Sequence, residues 1–181
     1  MKGLLKGKKP ATQLLVLVSI TLGCFFLLGL LGTVILSRVT GMDLMTMSDT
    51  SKWNAADERI VWVIRGMQLV QFICLFLVPC FICAQLFSLD ASKYLGFVPP
   101  HNPVYFLVGC ALLLLAIPLT NFVGELNRLV EFPSGIATWM KEQEEEAAST
   151  LKILLSRRTP ADLVMNLLFI AVLAAVGEEL L

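Results

Sequence analysis

Residues 14–36 read LLVLVSITLGCFFLLGLLGTVIL, a run without a single charge, and this stretch decides the class of fold. At about 1.5 Å per residue it makes a helix long enough for the roughly 30 Å hydrocarbon core of a bilayer. Hydrocarbon offers no water to backbone groups, so a spanning segment of this kind must close its hydrogen bonds internally as a helix. Lys2, Lys6, Lys8 and Lys9 precede it without an acid among them, and Ser37-Arg38 closes it. The run exceeds the roughly 7 to 15 apolar residues of a signal peptide, and no small-x-small cleavage pattern stands before Arg38, so it reads as a retained span. Gly23, Gly29 and Gly32 fall near one helical face. They either admit a second helix at close range or reflect the frequency of glycine in membrane helices.

Composition extends that reading to the whole chain. Of 181 residues 57% are hydrophobic and 15% charged, with a mean hydropathy of +0.80; a soluble domain has roughly 45 to 50% apolar and 25% charged residues. This is the composition of an integral membrane protein, and the bilayer is its first partner. Fourteen basic and fourteen acidic residues balance, so no overall field favours nucleic acid, which is not an implied partner. The five cysteines, Cys24, Cys74, Cys80, Cys83 and Cys110, all sit in apolar stretches, where a free thiol behaves as a small hydrophobe. Cys80 and Cys83 form a C-x-x-C beside Pro79 with no second pair or neighbouring histidine, and packing is favoured there over redox or metal chemistry.

Outward from the first span, residues 39–65 turn polar. Met42, Met45 and Met47 have no His or Cys beside them and read as a flexible apolar patch rather than a soft-metal site. Asp49, Thr50 and Ser51 offer caps ahead of Trp53 to Ile64, expected as a partly interfacial helix. A second span is expected over Met67 to Phe87, kinked at Pro79. Residues 88–103 form a loop holding the only histidine, His101, which reads as a loop residue. Val104 to Val123 forms the third span; Pro118 interrupts its bonding, and Thr120 and Asn121 one turn later hint at a polar chamber. Thr138 to Ser156 reads as an amphipathic helix, with Trp139, Met140, Leu151, Ile153, Leu154 and Leu155 as apolar contacts and Glu142, Glu144, Glu145 and Glu146 as a solvated face. Thr159 as N-cap and Pro160 at the first helical position open the fourth span.

The expected fold is therefore all-α, a polytopic helical membrane bundle with four transmembrane helices in this sequence. Its segments are a basic cytoplasmic N-terminus (1–13), spans one to three with their loops (14–123), a polar segment with an amphipathic helix (124–160) and a fourth span (161–181). The segments that a cytoplasmic N-terminus puts inside hold five Lys or Arg and those it puts outside hold nine, but the four-lysine cluster is the densest and the first helix usually dominates. A cytoplasmic N-terminus is therefore expected, which carries the far end of the fourth span to the cytoplasmic side. That far end holds the costliest residues in the chain, Glu178 and Glu179. Neighbours on a helix point about 100° apart, so the two carboxylates face different surroundings.

Gly177-Glu178-Glu179-Leu180-Leu181, on a span entered through Arg158-Thr159-Pro160, resembles the opening of the E-E-x-x-x-R motif of the CPBP intramembrane proteases. That family includes the CAAX prenyl endopeptidases and the bacteriocin-processing and immunity proteins often labelled Abi. The motif's arginine would fall two residues beyond Leu181, and the family's later histidine motifs lie outside these residues. The sequence is thus expected to be the N-terminal part of a longer protein, whose fourth span starts the catalytic core.

The resemblance implies a multi-span enzyme of a bacterial cytoplasmic membrane that cleaves a membrane-associated or prenylated peptide. Glu178 would be the general base that activates water, with Glu179 assisting it or pairing with the arginine. Later histidines would hold the water or a zinc ion and polarise the carbonyl. The 181 residues alone are then expected to lack protease activity. Two other readings stay open on the residues themselves: a transporter component relaying protons through the Glu pair, and a non-catalytic immunity or interaction protein on the same scaffold.

Overall fold

The computed structural model describes residues 2–44, 53, 57–98, 102–130, 132–157 and 159–180. Met45, Met47, Asp49, Thr50, Ser51, His101 and Arg158, each used in the sequence reading, lie outside the described residues. No strand occurs among those described, and four helices are long and apolar enough to cross a membrane: Pro10–Thr40, Glu58–Phe87, Val104–Arg128 and Pro160–Leu180. The chain is an all-α protein of the multi-pass membrane type. It divides into two units, one made of Met1–Phe97 with Glu146–Leu181, the other of Val98–Glu145.

The larger unit begins with α1 (Pro10–Thr40), which extends the predicted span by four residues at each end. Proline fits its first turn, and Gly41 ends it in the left-handed region at φ 67°, which costs a residue without Cβ little. A half-buried stripe returns every three or four residues, through Leu17, Ile20, Cys24, Leu28, Gly32 and Leu36, while the opposite face stays exposed and apolar. Such a helix shows one side to protein and the other to lipid. The stripe meets α2 (Glu58–Phe87) through interlocked glycines. A Cβ on Gly32 would come within 2.6 Å of Val70, and one on Gly66 within 2.5 Å of Leu36, so each helix seats a branched side chain over the other's glycine. Gly29 lies at the same seam opposite Cys74, whereas nothing approaches Gly23.

The start of α2 departs from the sequence reading. Instead of an interfacial helix over Trp53 to Ile64 and a span from Met67, one helix starts at Glu58 and runs unbroken to Phe87. Asp57 caps it by accepting from the Arg59 amide at 2.9 Å, and Glu58 complements the helix dipole in the first turn. Ile60, Val61 and Ile64 are buried with Ile153 and Leu154, with Met42, Trp53 and Ile170 packed around them. Burial against this core overrode the interfacial preference of Trp53, which is half-buried, while Trp62 stays exposed. The expected irregularity near Pro79 appears one turn earlier, as π-helical turns over Phe72–Leu77 in which the Val78 amide bonds to the Ile73 carbonyl. Proline supplies no N–H and crowds the carbonyl four residues back, and the wider turns ahead of it take up that mismatch. Cys74, Cys80 and Cys83 are buried free thiols along α2, in keeping with packing.

After α2 comes a single-turn helix, α3 (Ala91–Tyr94), capped by Asp90 and closed by Gly96 at φ 74°. The N-terminal segment returns to this end of the unit: the amides of Gly3 and Leu5 bond to the carbonyls of Gln85 and Leu86. The last helix, α6 (Pro160–Leu180), starts as predicted, with Thr159 Oγ1 accepting from the Asp162 amide at 3.1 Å. It too contains π-helical turns, over Leu167–Val172, with no proline nearby.

The smaller unit holds α4 (Val104–Arg128) and most of α5 (Ser134–Leu154), the helix that continues into the larger unit. Pro118 leaves α4 continuous. Thr120 donates back to the Ala116 carbonyl at 3.0 Å, and both Thr120 and Asn121 are exposed, so the chamber expected behind Pro118 is not formed by these residues. In α5 the Lys141–Glu145 pair spans one turn. Of its predicted apolar contacts only Ile153 and Leu154 are buried; Trp139, Met140, Leu151 and Leu155 are exposed.

Candidate functional site

Glu178 and Glu179 lie on the last two turns of α6 and open into different cavities, as their angular separation requires. Glu178 lines a space of about 260 Å³ between α2 and α6, with Gln68, Gln71, Phe72 and Phe76 on one wall and Phe169, Ile170, Leu173 and Ala174 on the other. Glu179 lines a wider cleft of about 740 Å³ against the turn Tyr94–Phe97. The close approach of the two helices depends on Gly177, whose Cβ, if it had one, would meet the Phe76 ring at 3.0 Å. Both carboxylates are exposed, so the described residues alone do not build the water-excluded setting the resemblance implies.

Gly177, rather than either carboxylate, sits squarely against α2: it is buried facing the Phe76 ring, while Glu178, about 100° further round the helix, lines the side of the cavity and Glu179 opens into the other cleft. Both helices carry π-helical turns, Leu167–Val172 on α6 and Phe72–Leu77 on α2.

Asn166 belongs to a second polar group, which sequence reasoning missed. Arg65, buried on α2, donates from one terminal nitrogen to Asp162 Oδ1 at 3.1 Å and to Asn166 Oδ1 at 2.9 Å. Its guanidinium also lies 5.3 Å from the centre of the Trp62 ring. Asp162 takes a further bond from Thr159 at 2.6 Å, and Asn166 donates to the Leu154 carbonyl at 2.8 Å, which ties the end of α5 into the group. Just outside, Arg157 pairs with Glu58 at 2.6 Å; that carboxylate holds the guanidinium above its ordinary pKa. Two sequence signals were available: Arg65, Gln68 and Gln71 recur every third residue on one face of α2, and Asp162 and Asn166 are one turn apart on α6. Together these give the α2–α6 seam a polar track that leads from Arg65 past Gln68 and Gln71 toward the Glu178 cavity.

For metal chemistry, zinc takes three or four ligands from His, Cys, Asp and Glu. No group of three such side chains comes together among the described residues. Glu178 is the one such side chain in its cavity lining, so the described donors do not by themselves fit zinc.

No family model matches the chain, and comparison with curated proteins and with solved structures likewise finds no match.

Proposed function

We propose that this chain carries the general base of an intramembrane endopeptidase of the CPBP type, which hydrolyses a peptide bond in or near the bilayer through water activated by Glu178. The observation that carries the reading is the placement of Glu178 in a cavity between two apolar helices, each of which contains π-helical turns, with two glutamines opposite. π-Helical turns inside longer helices frequently accompany functional sites. A carboxylate acting as base needs a water within about 2.6 to 3.2 Å, and the amide of Gln71 gives such a water a hydrogen-bonding neighbour in an otherwise apolar space. The water's proton goes to Glu178, its oxygen bonds to the substrate carbonyl carbon, and the proton then passes to the departing amine. Glu179 faces the other cleft and acts on the site from outside that cavity.

The test is Glu178→Gln in the protein expressed from its full reading frame. General-base loss costs about 10²- to 10⁴-fold in rate, so cleavage of a membrane-anchored peptide should fall by that factor while membrane insertion is unchanged. Near-normal cleavage would remove Glu178 from the mechanism. A second reading, proton relay, draws on the buried Arg65–Asp162–Asn166 group, because ionisable residues within spans often mark ion paths. It requires Asp162→Asn and Glu178→Gln to abolish proton flux into vesicles; the protease reading requires no flux at all.

A further inference from the structure

Gln68 has a buried side-chain oxygen with no hydrogen-bond partner. A polar atom left so between membrane helices is costly, because no bulk water reaches it. Its neighbours across the cavity are Phe169, Ile170, Leu173 and Ala174, none of which has a polar side chain to offer. The remaining polar side chains in the lining are Gln71 and Glu178. One turn back on α2, Arg65 is held to Asp162 and Asn166, and this fixes the helix that carries Gln68 against the helix that carries Glu178. A primary amide offers one acceptor oxygen and two N–H donors, and a peptide group presents the complementary C=O and N–H.

We infer that Gln68 is a positioning residue: its amide hydrogen-bonds a peptide group of the substrate next to the bond that Glu178-activated water attacks. The inference rests on the protease reading above. It assigns the substrate side of the cavity to an extended, unpaired peptide backbone rather than to a side chain, since a helical peptide has no free backbone groups to give.

The experiment uses the full reading frame in membranes, with a fluorogenic membrane-anchored peptide as substrate. Gln68→Leu should lower kcat/KM by about 5- to 30-fold, the loss for leaving one buried hydrogen-bonding group unpaired, carried chiefly by KM. Gln68→Met, closer in shape, should repeat it and guards against a folding defect in the first variant. Gln85→Leu removes the same chemistry from the same helix at an exposed position outside this cavity and should change neither constant. In a Glu178→Gln background, affinity for the uncleaved peptide should fall by the same factor when Gln68 is also replaced. If Glu178→Gln abolishes cleavage but KM and peptide affinity ignore Gln68, the oxygen serves only a bound water and the inference fails alone. Full cleavage by Glu178→Gln would remove the protease reading and this inference with it.

Discussion

Arg65 is 2% exposed and Asp162 8%, and at that depth an ion pair is kept by its hydrogen bonds more than by its charges. Desolvating two charges offsets much of their attraction, whereas removing one partner strands the other, at about 3 to 5 kcal/mol. Asp162→Ala should therefore lower unfolding stability in detergent by about 3 kcal/mol or more. Arg65→Met paired with Asp162→Leu should recover most of that loss. Denaturant unfolding of the single and double variants checks both, and a double variant no better than Asp162→Ala would mean the group contributes through shape alone. The pairing was hidden in the sequence for a physical reason. Asp162 and Arg65 stand 97 positions apart, and each has an adequate local explanation, as a helix-start acid and as a loop base. Outside the spans, Asp57 shows a simpler linkage. The side-chain hydrogen bond from Arg59 holds its carboxyl below the ordinary value, so the cap contributes fully above the unfolded carboxylate pKa and weakens as pH falls through the lower folded one. Protection of the Arg59 and Ile60 amides, measured relative to their intrinsic exchange rates, should fall over that acidic range, and Asp57→Asn should remove that pH dependence.

At the scale of helices, the sequence was most legible where one physical demand acts alone. Four apolar runs had to be helices because lipid satisfies no backbone group, and all four are. The Thr159-Pro160 start was legible too, because its cap is built from adjacent residues. What could not be read were features set by a neighbouring helix. The π-helical turns of α6 have no proline to announce them, and the contact beyond them, buried Gly177 against the Phe76 ring, is set by α2. The glycines divide on the same principle. Gly23, Gly29 and Gly32 look equivalent in sequence, but only Gly29 and Gly32 meet α2, and the partner glycine, Gly66, sits in a segment first read as a boundary. Gly32→Leu or Gly66→Leu should cost about 1 to 3 kcal/mol by overpacking the α1–α2 seam, while Gly23→Leu should be near neutral. Thermal unfolding in micelles separates them, and equal effects at all three positions would show that the seam is not what glycine serves.

For the larger unit as a whole, the arrangement of its ends fixes which chemical groups share a membrane face. The lysine-rich N-terminal segment bonds to Gln85 and Leu86, and Glu179 shares a cleft with Tyr94–Phe97, so the segment, the α3 turn and the carboxylate pair lie at one end. Arg157, paired with Glu58, marks the other. α2 and α6 thus run in the same direction and α1 against them, and the sequence expectation of a cytoplasmic lysine cluster would turn the carboxylate end to the cytoplasm as well. Base chemistry at Glu178 would then be supplied with water and substrate from the cytoplasmic side, where four lysines can also hold an anionic lipid surface. Single reporter cysteines at Lys6, Glu179 and Arg157, in a background with Cys24, Cys74, Cys80, Cys83 and Cys110 replaced by alanine, test this directly. An impermeant maleimide should label the first two only in inverted vesicles and the third only in right-side-out vesicles. Labelling of all three from one side would overturn the end-to-end arrangement. Labelling of the first two from outside and the third from inside would keep that arrangement and reverse its orientation, placing Glu178 toward the outer surface, where its substrates would have to arrive.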